Sequence, residues 1–283
     1  MATTFGRAIC ITVIVVVSIA TANNAWGEDW PSYRRDSQRS AVTSESLSFP
    51  LSAGWSFQPQ HEPRRAWPRN FRENPWTKDK IRTLLTFDHA FHAVAAEGAV
   101  FFGSSADHKI YCLDAATGRP RWEFFTEGPI RCAPTVWEGN VYTGSDDGWL
   151  YCLAAATGDL LWKHRAGPTD ERLPGNEQII SRWPIRSGVV VEDGVAYCAA
   201  GQFPHREGCF LSAVDATTGN PVWTEEINQV SQGYLLASQQ RLCVPAGKMP
   251  PQIYSRASGK LLNRTSIDPK PCFAASLPFT RCE

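Results

Sequence analysis

The sequence predicts an all-β fold, a β-propeller built from four-stranded blades, and two observations carry this prediction. First, a tight turn followed by a tryptophan recurs three times, ending at Trp122, Trp162 and Trp223, and a fourth copy has Asn263 in the tryptophan position. The first two copies lie 40 residues apart, as do the last two. Second, Asp-Gly and Glu-Gly pairs separate runs of alternating apolar residues, which is typical of β-hairpins. Repetition at this period without helical periodicity is typical of propeller blades.

The repeated turn has a direct physical explanation. Glycine stands where the backbone needs a positive φ, and an Asp or Thr side chain can bind the exposed amides around it. We expect each tryptophan to lie on the outermost strand of its blade and to fill the wedge between neighbouring blades. The residues assigned to the repeat are Asp114, Thr117, Gly118, Trp122, Thr157, Gly158, Trp162, Asp215, Thr218, Gly219 and Trp223.

The second repeat illustrates the four strands. We expect an extended segment over 130–137, strands over 141–144 and 150–154, and a fourth strand that ends at Trp162. The turn over 145–148 and the related turn over 105–108 contain aspartates. Neither approaches the about six to eight oxygen ligands that calcium takes, so we expect both to be solvated turns.

The N-terminus predicts an export signal over residues 1–27. Arg7 precedes an apolar run over 8–20, and Ala25-Trp26-Gly27 supplies small residues for cleavage. The run is shorter than the about 20 residues that span a bilayer. We therefore expect a periplasmic or secreted protein with no transmembrane span after signal removal.

The remaining chain divides into four regions. Residues 28–58 lead into the propeller, 59–90 form a loop rich in Arg, Trp and Pro, 91–265 contain the repeats, and 266–283 form a non-repeat tail. The 59–90 loop and an insertion over 166–184 interrupt the period, and long loops of a repeat scaffold often bind partners. Aromatic residues mixed with arginine suit a protein or polysaccharide contact, and a variable, partly ordered loop is the alternative.

Charge and cysteine usage narrow the function classes. The 28 basic and 28 acidic residues give a net charge of zero, which argues against a nucleic-acid partner or an anionic membrane surface. Cys112 and Cys152 occupy the same register in consecutive repeats, where the third copy has Ala213. We expect both cysteines to be buried small apolar residues.

The repeat also carries a resemblance. The pattern A-x-D-x-x-T-G-x-x-x-W, present as Ala213–Trp223, resembles the tryptophan-docking repeat of the pyrroloquinoline-quinone (PQQ) propeller family. Asp29–Arg34 resembles the segment that leads into such propellers, and the chain looks most similar to uncharacterised exported PQQ-like repeat proteins of the planctomycete type. The resemblance implies a quinoprotein-like propeller over roughly residues 29–262. Family propellers usually close with about eight blades, whereas about four to five are recognisable here, so we expect an incomplete ring.

One set of equivalent positions forms a candidate site. Counting back from the first hairpin glycine of each repeat aligns Ala90, Arg131 and Arg186, with His89 beside the first, and Gln232 holds the matching position in the fourth repeat. If the first strands line a central channel, Arg131, Arg186, His89 and Gln232 could hold an anion through guanidinium hydrogen bonds. The alternative is that each arginine pairs with a carboxylate such as Glu127 or reaches solvent.

The sequence identifies no catalytic residue and no metal-ligand spacing. We expect an exported binding or scaffolding module, with a protein or a small anionic ligand as partner and no cofactor. The resemblance implies an alternative, a quinoprotein oxidoreductase using PQQ and calcium, or the propeller portion of a larger multidomain enzyme. Such enzymes need an adjacent-cysteine disulfide, calcium ligands and an aspartate base, none of which can be matched here residue by residue.

Overall fold

The computed structural model describes residues 27–66, 88–175, 177–202, 208–246 and 249–264. Three expectations fall outside these ranges. They are the export signal apart from Gly27, the tail over 266–283, and the part of the Arg- and Trp-rich loop over 67–87.

The all-β propeller fold is confirmed. The described residues contain four antiparallel sheets of four strands each, and in every sheet the strands are ordered as they occur along the chain. Blade 1 consists of β1 (Ala93–Ala96), β2 (Ala99–Gly103), β3 (Lys109–Asp114) and β4 (Pro120–Phe125). Blade 2 consists of β5 (Thr135–Trp137), β6 (Asn140–Gly144), β7 (Trp149–Ala154) and β8 (Leu160–Arg165).

The described residues also form two short two-stranded sheets outside the blades. The insertion forms a hairpin of β9 (Arg172–Gly175) and β10 (Gln178–Ser181). β11 (Ser187–Gly188) pairs in parallel with β16 (Gly233–Tyr234). Blade 3 consists of β12 (Val190–Glu192), β13 (Val195–Ala200), β14 (Cys209–Asp215) and β15 (Pro221–Ile227). Blade 4 consists of β17 (Leu236–Ala237), β18 (Arg241–Ala246), β19 (Met249–Ser255) and β20 (Leu261–Arg264).

The first hairpin of blades 1 to 3 follows the sequence signal closely. Glu97, Glu138 and Asp193 have φ angles of 53°, 45° and 49°, and each is followed by a glycine with positive φ. Two consecutive positive φ values define the tight hairpin turn whose twist matches that of the flanking strands. The Glu-Gly and Asp-Gly pairs therefore set where the first two strands of each blade meet.

Each of blades 1 to 3 presents one row of aligned side chains to the blade that follows it, and the same row recurs in blade 4. We call this the forward row, and pairing across the strands defines it as Val94, Phe101, Cys112 and Trp122 in blade 1, Thr135, Tyr142, Cys152 and Trp162 in blade 2, Val190, Tyr197, Ala213 and Trp223 in blade 3, and Leu236, Cys243 and Ile253 in blade 4. In blades 1 to 3 the forward row packs into a hydrophobic cluster with the next blade. These clusters form the core of the molecule.

The cysteines of the forward row behave as small apolar residues. Cys112 and Cys152 are both fully buried, in the two clusters that join blades 1 to 2 and 2 to 3. Burial raises the pKa of Cys112 to about 11 and that of Cys152 to about 12. Both thiols therefore stay protonated near neutral pH, as a packing role requires.

In the part of the chain that the structure describes, no helix is long and apolar enough to cross a membrane.

Candidate functional site

The tryptophans join each blade to the next through the repeated turn. Nε1 of Trp122 donates to the carbonyl of Ala155 at 2.8 Å, and Trp162 and Trp223 make the same bond to Ala216 and Arg256 at 3.1 and 2.8 Å. Each indole also lies against the turn glycine of the next blade. A Cβ built on Gly158 would stand 2.6 Å from the ring of Trp122. Glycine is therefore required at Gly158 for two reasons: the backbone has a positive φ, and a Cβ would collide with the indole of Trp122.

The turn itself is held by its aspartate and threonine. Asp114 Oδ1 accepts from the backbone N–H and the hydroxyl of Thr117 at 2.9 and 2.8 Å, and Asp215 binds Thr218 in the same way. Hydrogen bonds from Arg121 and Thr117 lower the pKa of Asp114 to about 2. In the second copy Ala154 replaces the aspartate, and the hydroxyl of Thr157 instead donates to Asp159 at 2.6 Å.

Residues 28–58, which we call the lead-in segment, contain a fourth docking tryptophan that the repeat motif did not predict. Trp55 Nε1 donates to the carbonyl of Ala115 at 2.8 Å, and a Cβ on Gly118 would stand 2.5 Å from its ring. Trp55 therefore makes on blade 1 the contacts that Trp122 makes on blade 2. No Thr-Gly turn precedes Trp55, so the repeat motif could not identify it. The available signal was the triplet Trp55-Ser56-Phe57, which matches Trp122-Glu123-Phe124.

Residues of the lead-in segment also occupy the inner side of the arc of blades. Trp30 pairs with Ala95 of β1, and the carbonyl of Pro31 accepts from Val136 of β5. Ser37 donates to Val191 of β12 and its carbonyl accepts from Ala237 of β17. Residues 30–37 thus contact the first strand of every blade. The first strands were expected to line a central channel, and residues 30–37 lie along them there.

Arg39 fixes this segment. Its guanidinium donates to the carbonyls of Leu235, Tyr33 and Val189 at 3.0, 3.0 and 3.1 Å, and burial lowers its pKa to about 10. Tyr33 stacks on Tyr234 with 3.7 Å between ring centroids.

Arg131 and Arg186 meet on one carboxylate. Arg131 Nε donates to Asp146 Oδ2 at 2.7 Å, and Arg186 donates to both oxygens of Asp146 at 3.0 and 2.9 Å. All three side chains are at most 2% exposed. Burial by itself raises the pKa of Asp146. The two arginines together lower that pKa by more than burial raises it, so it lies below the usual value. We call these three residues together with Asp88 the charge cluster.

Asp88 lies at the Arg131 side of the charge cluster. Its Oδ2 lies 3.5 Å from Arg131 Nη1 and accepts from the backbone N–H of Ala66 at 2.6 Å. The other oxygen, Oδ1, is 3.5 Å from Nδ1 of His89, whose side chain is 42% exposed. Two arginines and two aspartates balance to zero charge, so the cluster attracts an anion less than two unpaired arginines would.

Gln232 lies in the equivalent position of blade 4. It is buried, and its Oε1 has no hydrogen-bond partner among the residues that the structure describes. The adjacent Gly233 donates to the carbonyl of Arg186. Among the predicted site residues, the structure therefore brings Arg131 and Arg186 onto one partner, places His89 at the rim and sets Gln232 beside the backbone of Arg186.

Both arginines pair with carboxylates, as the alternative had it, but the partners are Asp146 and, for Arg131, also Asp88. Glu127, which was offered as an example, binds Arg172 of the insertion. One expectation about this region was wrong. The turn over 145–148 is not solvated, because Ser145, Asp146 and Asp147 are nearly or fully buried. The insertion covers it, since Ser181 donates to the carbonyl of Asp146 at 2.7 Å. The 59–90 loop and the insertion also meet here, because Arg64 Nη2 lies 3.8 Å from Glu177 Oε2. The backbone carbonyl of Arg64 accepts from Arg131 at 2.7 Å.

Within the described ranges, no group of three or more His, Cys, Asp or Glu side chains is placed to hold a metal ion. The carboxylates of Asp146 and Asp88 are engaged by arginines. These residues therefore do not provide the acidic ligand set that a calcium-bound quinone requires.

The sheets, their order and the tryptophan docking define a β-propeller of the quinoprotein type. A family of PQQ-type repeats described as outer membrane protein assembly factor BamB matches residues 14–181, more than half of the chain. The chain belongs to this family. A comparison with curated proteins finds no match.

Solved structures support the same fold. Quinohemoprotein alcohol dehydrogenase from Comamonas testosteroni aligns with a TM-score of 0.53 at 15% identity, covering 83% of this chain and 40% of that one. A europium-containing methanol dehydrogenase aligns with a TM-score of 0.51 at 11% identity, covering 82% of this chain and 48% of that one. The chain thus spans less than half the length of these two enzymes, and at such identities the likeness shows the fold alone.

Proposed function

We propose that the protein is an exported β-propeller module that binds or scaffolds another protein. We place it among the exported PQQ-like repeat proteins of the planctomycete type, acting in the periplasm or outside the cell. Membership of a family described as an outer-membrane assembly factor supports a role in binding proteins.

The observation that carries the proposal is the forward row of blade 4. Leu236, Cys243 and Ile253 are aligned across three strands and are all half-buried, whereas the equivalent Val190, Tyr197 and Ala213 of blade 3 are at most 2% exposed. In the first three blades the following blade supplies the cover. An apolar sheet face of this kind is typical of a protein-binding surface.

A charge in this row tests the proposal. Tagged wild-type protein, Ile253→Glu and the control Leu262→Glu would be used to isolate bound proteins from an envelope extract of the producing organism. Leu262 is 54% exposed on β20 and does not belong to the forward row. We expect Ile253→Glu to lose a protein that the wild type and Leu262→Glu retain, with unchanged unfolding temperatures. Equal recovery by all three chains would refute the role of this face.

The alternative is a quinoprotein oxidoreductase that uses PQQ and calcium. The charge balance of the central residues speaks against it, because Arg131 and Arg186 are neutralised by Asp146 and Asp88. We expect no saturable quinone absorbance when PQQ and Ca²⁺ are titrated into the purified chain. Stoichiometric uptake would favour the enzyme.

An anion site at Arg131, Arg186, His89 and Gln232 stays a prediction. Of these four residues, His89 has an exposed imidazole, whereas the other three are buried. If anion binding is unchanged in the Arg131→Ala and Arg186→Ala variants, an anion site at these residues is excluded.

A further inference from the structure

A groove lies between residues 31–38 of the lead-in segment and the ends of the first strands of blades 2 and 3. Its volume is about 640 Å³, within the range of cavities that bind ligands. Glu138 and Asp193, from the first hairpin turns of these blades, also line it, and we call it the hairpin groove. Asp146 lies in the turn at the other end of β6, so the hairpin groove is separate from the charge cluster.

Two facing side chains of the hairpin groove are not required by the blade repeat. Trp137 and Glu192 both line the groove, and each is the last residue of its strand and pairs with the first residue of the second strand. Blade 1 has the small, buried Ala96 in this position. Within the described ranges, Nε1 of Trp137 makes no hydrogen bond, whereas each docking tryptophan donates to a carbonyl of a neighbouring turn. Trp137 therefore lines the groove without joining two blades through a turn.

The hairpin groove is acidic. Its charged lining residues are Asp36, Glu138, Glu192, Asp193 and a single arginine, Arg35. The guanidinium of Arg35 is engaged by Glu28, and Asp193 pairs with Arg256 at 3.0 Å. The two glutamates, by contrast, make no ion pair and no side-chain hydrogen bond within the part of the chain that the structure describes. Their carboxylates are therefore available to a cation bound in the groove.

Ser32 adds a buried hydroxyl to the groove. It is 5% exposed and lines the groove, but its Oγ makes no hydrogen bond to any described residue. The neighbouring lining hydroxyls of Thr135 and Ser37 differ, because they donate to backbone carbonyls at 2.8 and 2.9 Å. Buried polar groups in folded proteins usually have a hydrogen-bond partner. The hydroxyl of Ser32 is therefore placed to bind a polar group that enters the groove.

We propose that the hairpin groove binds an arginine side chain in a peptide segment of a partner protein. A planar guanidinium can stack on the indole of Trp137 while it donates to carboxylates in its own plane, here those of Glu138 and Glu192. The hydroxyl of Ser32 accepts a further N–H. The groove is larger than one guanidinium, which leaves room for the peptide backbone on either side of the arginine. This surface is separate from the forward row of blade 4, so this proposal and the proposed function can fail independently.

The probes are two fluorescein-labelled peptides. One has the sequence Gly-Ser-Gly-Arg-Gly-Ser-Gly, and the other has citrulline in place of arginine, which keeps the shape and removes the charge. Fluorescence anisotropy measures their binding to the full chain, to Ser32→Ala and to the double variant Glu138→Gln/Glu192→Gln. The control is Glu171→Gln/Glu177→Gln, which removes the same charge from two exposed side chains of the insertion.

We expect the arginine peptide to bind the wild type and the control variant equally. The citrulline peptide should bind the wild type at least about tenfold more weakly, and the arginine peptide should bind Glu138→Gln/Glu192→Gln weaker by a similar factor. Ser32→Ala should weaken binding by about threefold to tenfold, because one hydrogen bond is lost.

Three results would overturn the proposal: no binding of the arginine peptide, equal binding of the two peptides, or an equal loss of binding in the control variant. The comparison of the two peptides uses the wild-type chain, so it does not depend on how any variant folds. Displacement of the arginine peptide by spermidine at an equal or lower concentration would assign the hairpin groove to free cations and overturn the proposal as well.

Discussion

Asp146 is the residue on which the central packing depends. It is fully buried, accepts from both arginines of the charge cluster and, through its carbonyl, holds the insertion hairpin. A buried carboxylate is tolerated only when its charge and hydrogen bonds are satisfied. Arginines from two separate parts of the chain satisfy the carboxylate of Asp146 here.

Replacing Arg186 by methionine should therefore cost more than removing a surface ion pair. We expect Arg186→Met to lower the free energy of unfolding by about 3–5 kcal/mol, because Asp146 loses two of its charged hydrogen bonds in a buried site. The control is Arg172→Met, whose pair with Glu127 is partly exposed and should contribute about 0–1 kcal/mol. Denaturant unfolding measures both values, and similar losses would contradict the account.

The same site predicts acid sensitivity. The pKa of Asp146 is lower in the folded protein than its usual value, so its charged form stabilises the fold above the unfolded pKa of about 3.9 and that contribution is lost as pH falls further. Asp146→Asn should be less stable at neutral pH and should lose less stability than wild type between roughly pH 5 and pH 3. Unfolding curves across this range measure the difference, and parallel profiles would count against the assignment.

The sequence could not predict the burial of Asp146. Local chemistry identifies 145–148 as a turn, and turns are usually solvated. Burial depends on the insertion over 166–184 and on two arginines, of which Arg186 lies 40 residues further along the chain, and no local pattern encodes these contacts. Register alone did align Arg131 with Arg186, because the hairpin glycines fix the count.

At the scale of the element, the turn and the tryptophan act as one unit. The spacing between the glycine and the tryptophan predicted the turn and the position of the indole. The Glu-Gly and Asp-Gly pairs predicted where the strands begin and end. Trp55 escaped detection because it docks without the turn that precedes the others. Its position is determined by tertiary contacts with blade 1.

A pair of glycines separates backbone strain from docking. Gly139 and Gly158 have φ angles of 73° and 78°, but a Cβ meets nothing within 4 Å at Gly139 and meets Trp122 at Gly158. Gly139→Ala should cost about 1–2 kcal/mol from backbone strain alone. Gly158→Ala should cost clearly more and should shift the fluorescence of a docking tryptophan. Equal costs would contradict the docking role.

At the scale of the whole molecule, the four described blades form an arc whose first and last blades present unlike faces. Blade 1 is covered by Trp55 and Phe57, whereas the forward row of blade 4 is half-exposed. The period of the sequence predicted about four to five blades, and the described residues contain four. It did not predict that residues 30–39 contact all four first strands, because no repeat signal marks that segment.

We propose that the protein binds another protein through the forward row of blade 4. The most direct measurement places a photo-reactive amino acid at Ile253 and, as a control, at the exposed Val222 of β15, in cells that produce the protein. If a partner protein contacts the forward row of blade 4, we expect a cross-linked adduct of one defined mass from position 253 and none from position 222. No adduct at 253, or the same adduct at both positions, would contradict it.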